Sequence, residues 1–173
     1  MTTRRPFAVL PAALIAALAL SGCTPDPGPT PTPTGFATEE EAFAAAEETY
    51  RAYIDALNAR NAGDEEADPQ SFLIGEVLES DQRTREILEQ SKQTIQGSLD
   101  ILSFTPETTT RIADAIQVDA IVCMDATNAR ILDSNGGDVT PEDTPSIYSL
   151  KIELTSADNT LKISASENSD NPC

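Results

Sequence analysis

At Gly97 the hydrophobic pattern of this chain changes period, and that change constrains the fold more than any other feature. Upstream, Phe43, Ala46, Tyr50, Tyr53, Ile54 and Leu57 recur at helical spacing. Downstream, Ile116, Val118, Ala120 and Val122 alternate, and so do Tyr148, Leu150, Ile152 and Leu154. Helices first and antiparallel strands after predict a single α+β domain, with N-terminal helices packed on one face of a curved antiparallel sheet.

Local signals divide that outline. Thr38-x-x-Glu41 is a capping box, and the acids at 39–41 suit the positive end of a first helix of about twenty residues. Asp68-Pro69 predicts a second, short helix carrying Phe72, Leu73, Val77 and Leu78. Ser80 predicts a cap for a third, with Ile87, Leu88 and Ile95 buried and Gly97 as its stop. Strands are expected at 99–104, 116–123 and 127–132, then as a hairpin of Tyr148–Leu154 and Leu161–Ala165 turning at Ala157-Asp158-Asn159. The expected core contains Phe43, Tyr53, Ile54, Leu57, Val118, Val122, Leu150 and Ile152.

Charge and missing residue types exclude several functions. The 173 residues hold 11 Lys+Arg against 29 Asp+Glu, a formal charge of −18, which repels phosphate backbones and argues against nucleic-acid binding. With no His and no Trp, the commonest general acid/base and zinc ligand are missing. Neither a catalytic triad nor a transition-metal centre is expected, and no cofactor is called for.

The N-terminus reads as an address. Arg4 and Arg5 precede an apolar run from Phe7 to Leu20, too short to span a bilayer but suited to a signal-peptide core. Leu20-Ser21-Gly22-Cys23 resembles the lipobox of bacterial lipoproteins. That resemblance implies cleavage after Gly22, removal of residues 1–22, and a diacylglyceryl thioether on Cys23. With an added acyl chain such as palmitate, two or three chains at ~0.8 kcal/mol per buried CH₂ give stable anchoring. The partner implied is the cell membrane at its extracytoplasmic face. Thr3-Arg4-Arg5-Pro6-Phe7 also resembles a twin-arginine export motif, and general secretion remains the alternative. Prolines at 25, 27, 29, 31 and 33 make residues 23–35 an extended stalk, roughly 35 Å long at ~3.1 Å per residue. The folded domain is expected over residues 36–173.

The element order resembles the nuclear transport factor 2-like (NTF2-like, SnoaL-like) cone fold. Lipobox, Thr/Pro stalk and such a domain together resemble small actinobacterial lipoproteins. Cone folds host enzymes of the ketosteroid-isomerase type, which pair a carboxylate base with a Tyr or protonated Asp donor. Tyr50, Tyr53, Asp100 and Asp119 are the residues such chemistry would recruit; the plainer reading puts both tyrosines in the core and Asp119 off the apolar face. No residue matches an isomerase motif by position, so no catalytic residue is assigned.

Once Cys23 is lipidated, Cys123 and Cys173 are the remaining thiols. In an oxidising compartment such a pair is expected to form a disulfide, closing a loop worth roughly 4 kcal/mol in the loop-entropy model. A metal or redox pair would need more ligands or a C-x-x-C spacing. Asp133-x-Asn135-Gly136-Gly137-Asp138 faintly resembles a calcium loop but lacks its closing Glu, and a turn is the simpler account, so no metal is assigned. Two functions from different classes remain. One is a non-catalytic lipoprotein domain binding a protein or small ligand. The other is a carrier or enzyme using a cavity between the first helix and the sheet.

Overall fold

The computed structural model describes residues 35–157 and 160–173. The expected signal peptide, lipobox and Cys23 lie outside the described residues, as do all but Gly35 of the stalk and positions 158 and 159 of the last turn. The fold is α+β: two helices packed against antiparallel sheet.

Helix α1 spans Glu39–Asn61, and the Thr38 side chain accepts a hydrogen bond from the Glu41 amide at its start. Its Ala42, Ala46, Tyr50 and Ile54 are buried. The four-stranded sheet has the order β2-β3-β5-β6, all antiparallel, from β2 (Asp100–Ile112), β3 (Ala115–Asp125), β5 (Ile147–Ala157) and β6 (Thr160–Asn168). Strand β3 is central, and Ile116, Val118, Ala120, Val122 and Met124 on its inner face are all buried. Small Ala42 and Ala46 let the α1 backbone come close to that face, so the core is continuous across helix and sheet. Asn58 ties the other end of α1 to the sheet, its amide donating to the Leu99 carbonyl and its oxygen accepting from the Leu99 N–H.

The middle of the chain departs from the sequence expectation. Asp68-Pro69 opens only a short 3-10 turn, Pro69–Phe72. Leu73 then extends to bridge Ile163, and the Ile74 amide donates to the Ile163 carbonyl, covering the outer edge of β6. A single helix α2, Gly75–Ser91, follows and runs straight through Ser80, which caps nothing. Asp81 is held there by Gln70 and Arg60, so a polar pair inside the helix has partners rather than marking an end. Lys92, left-handed at φ 54, terminates α2 in place of Gly97. Ile95 belongs instead to β1 (Thr94–Gln96), which pairs with β4 (Arg130–Leu132) in a separate two-stranded sheet. Ile87 is 61% exposed, because none of α2 is fully buried.

Gly97 has a different role from the expected helix stop. It sits at φ +93, and a Cβ there would lie 1.9 Å from the Asn128 carbonyl oxygen, so backbone meets backbone at this point. Strand β2 continues eight residues beyond the expected end at Phe104, past Pro106 to Ile112. Proline is tolerated because β2 is an edge strand, and register shifts flank Leu102 and Glu107.

Of the expected core, Ile54, Val118, Val122 and Ile152 are buried, whereas Phe43, Tyr53, Leu57 and Leu150 are half-buried and pack around them. Chemical denaturation should therefore separate two alanine substitutions. Ile152→Ala should cost about 2–5 kcal/mol, and Leu57→Ala distinctly less. Equal losses would contradict this placement of the core.

Candidate functional site

The tyrosines singled out in the sequence lie together on the inner side of the sheet. Tyr50 is 3% exposed, and its hydroxyl donates to the Met124 sulfur at 3.9 Å. Its ring centroid lies 5.9 Å from Tyr53 and 6.1 Å from Phe104, while Tyr53 meets Phe72 edge-on at 6.4 Å. Burial raises the Tyr50 pKa well above the ordinary phenol value, and the charges of Tyr53 and Tyr148 add to the rise. Burial pushes Tyr53 up to about 12, with Asp81 adding to the shift and Arg60 opposing it. Tyr148 is raised by burial as well. At neutral pH these phenols are uncharged donors packed in a core.

The aspartates are elsewhere. Asp119 lies on the outer face of β3, where it accepts from Thr108 Oγ1 at 2.8 Å and Gln117 Nε2 at 2.9 Å. Asp100 is exposed at the start of β2, opposite Asp125. The sheet thus separates Asp119 from the tyrosines, so neither aspartate singled out in the sequence joins them; the carboxylate whose charge reaches Tyr53 is Asp81.

Between α1 and α2 the structure shows a polar tie that periodicity did not reveal. Gln70 Nε2 donates to Asp81 Oδ2 at 2.7 Å, and Arg60 Nη2 lies 3.7 Å from Asp81 Oδ1. Arg60 Nη1 is buried with no hydrogen-bond partner among the described residues.

On the opposite face of the sheet, Cys123 and Cys173 form a disulfide with Cα atoms 5.5 Å apart. Cys123 pairs across strands with Ser149, and both are 6% exposed although they face away from the helices. The segment after β6 covers them. The Ser169 amide donates to the Ser149 carbonyl at 2.9 Å, and residues 169–173 carry the chain from β6 across β5 to β3. The same cover leaves the Ser149 hydroxyl buried without a hydrogen-bond partner among the described residues.

The Asp133–Asp138 segment is a turn that uses its own carboxylates. Asp133 Oδ1 accepts from the amides of Asn135 and Gly137, both at 2.8 Å, which hold the carboxyl below its usual range. Asp138 accepts from the Thr140 amide and lies 3.4 Å from Arg130 Nε. Among the described residues, no group of three or more His, Cys, Asp or Glu is placed to hold a metal, and no helix is long and apolar enough to cross a membrane.

No family model matches the chain, and no curated protein matches it. Among solved structures it is similar to the crystal structure of the intermembrane space region of the chloroplast protein ARC6, with a TM-score of 0.51 at 17% identity. The match covers 72% of this chain and 94% of that one. Identity this low speaks to the fold alone.

Two measurements test the geometry. Because the folded pKa of Tyr53 lies above the unfolded value of about 10, its stabilising contribution is complete below pH ~10 and is lost as pH rises towards 12. Phenolate absorbance should therefore rise together with unfolding in that window; titration with a midpoint near pH ~10 and no accompanying unfolding would place the rings in water. Cys173→Ser should lower the unfolding free energy by about 2–5 kcal/mol while leaving the far-ultraviolet dichroism native.

Proposed function

We propose that this protein is a lipid-anchored lipoprotein of the extracytoplasmic membrane face, whose α+β domain binds a partner or small ligand without catalysing a reaction. One observation carries the reading. The chain has three cysteines, and two of them, Cys123 and Cys173, are spent on each other. The third, Cys23, stands directly after Leu20-Ser21-Gly22, where thioether formation requires a thiol. A disulfide is also in keeping with an oxidising compartment.

The arrangement of the tyrosines and aspartates supports the non-catalytic reading. The phenols pack among Met124, Phe104 and Phe72, and Asp119 is bonded on the far face. The acidic polypeptide has no electrostatic attraction to anionic lipid, so the acyl chains must supply the membrane affinity. A cone fold of the nuclear transport factor 2-like kind remains part of this proposal, supported by the order of helices and strands.

Fractionation of expressing bacteria tests the anchor. Wild-type protein should sediment with membranes, and Cys23→Ser should move to the soluble or unprocessed fraction. A Cys23→Ser protein that is processed and membrane-bound like the wild type would overturn the reading.

A further inference from the structure

Phe36, Phe72 and Leu161 line a cleft of about 350 Å³ between α1, the 3-10 turn and the start of β6, with Thr49, Glu48 and Lys162 also in its lining. The volume falls within the roughly 300–1,000 Å³ of small-molecule sites. Its apolar walls are set in advance. Phe72 is held edge-on by Tyr53, Phe36 packs against the core, and Leu161 is buried.

The two charged residues are what give the cleft a chemistry. Lys162 Nζ donates to the Ser71 carbonyl, which fixes the ammonium at the rim and leaves two of its three protons uncommitted. Lys162 makes no ion pair among the described residues. Glu48 likewise has no hydrogen bond or ion pair there, and Arg51, one turn away, is engaged by Glu47 at 2.7 Å. Opposite charges thus border one apolar cleft without neutralising each other.

The geometry points to a site for an apolar α-amino acid. Its carboxylate meets Lys162, its ammonium meets Glu48, and its side chain lies between Phe36 and Phe72. A zwitterion fits the electrostatics of the whole molecule as well as those of the cleft. At a formal charge of −18 a simple anion is repelled, and a simple cation is drawn to the surface everywhere. This inference rests on the binding-domain reading above and names its ligand class.

Calorimetric titration of the full chain with L-phenylalanine tests it, alongside 3-phenylpropanoate, 2-phenylethylamine and glycine, which lack the ammonium, the carboxylate and the apolar body in turn. Phenylalanine should bind saturably, with each comparator roughly tenfold weaker or worse. Glu48→Gln should weaken phenylalanine by a similar factor and leave 3-phenylpropanoate unchanged. Lys162→Gln should weaken phenylalanine and leave 2-phenylethylamine unchanged. That crossed pattern cannot come from misfolding, and Glu48 is exposed on its helix, so its variant should keep the fold. No binding of phenylalanine at about 10 mM, comparators equal to it, or variants without effect would each overturn the assignment. Membrane fractionation of the same preparations reads the anchor separately, so failure of the ligand class and failure of the lipoprotein reading are distinguishable.

Discussion

The contact between α1 and the inner face of β3 is the constraint on which the rest of the structure depends. Five alternate residues of β3 are buried there, and Ala42 and Ala46 leave room for the helix to lie against them. Interiors are packed to crystal-like density, so larger side chains at 42 or 46 would push the helix off the sheet. With α1 seated, Tyr50 is shut away from water and Tyr53 largely so, and the raised pKa of each follows from that position. The period of two then leaves the opposite face of β3 to Gln117, Asp119, Ile121 and Cys123.

Sheet edges and chain segments are tied by separate devices. The β6 edge is covered by the Leu73 bridge to Ile163. The β2 edge carries Pro106 and two register shifts, which disrupt the template that a flat strand would offer another chain. The segment after β6 is pinned by the disulfide over a patch that would otherwise expose Cys123 and Ser149. Helix α2 has no buried residue, and Ile87 in its second half faces solvent.

Features with a strong local signal were legible in the sequence. The Thr38 cap, the face of α1 and the alternation of β3 and β5 depend on neighbouring residues alone. Elements decided by tertiary partners were not. Nothing near Leu73 announces that it will leave a helical run to meet Ile163, ninety residues away, and Ser80 has the chemistry of a cap without the position of one. The second half of β2 lacks an apolar rhythm because it is an edge, and Ile95 paired with Ile131 only because Gly97 allows the backbone to pass Asn128. The same limit applied to the cleft. Glu48 and Lys162 are unremarkable surface charges until α1 and β6 bring them to one rim. The Arg60–Asp81–Gln70 tie likewise joins three segments that no spacing rule connects.

The proposed function divides along the chain. In the proposal above, the membrane address would belong to Leu20–Cys23 and recognition to the folded domain. The disulfide takes two of the three thiols to the outer face of the sheet, and the proposal gives the third to the lipid. The most direct test is the intact mass of protein extracted from bacterial membranes, treated with a thiol alkylating agent under denaturing, non-reducing conditions. The chain is expected to begin at an acylated Cys23, with no alkyl adduct before reduction and two afterwards. An adduct on Cys23, or two adducts before reduction, would contradict that expectation.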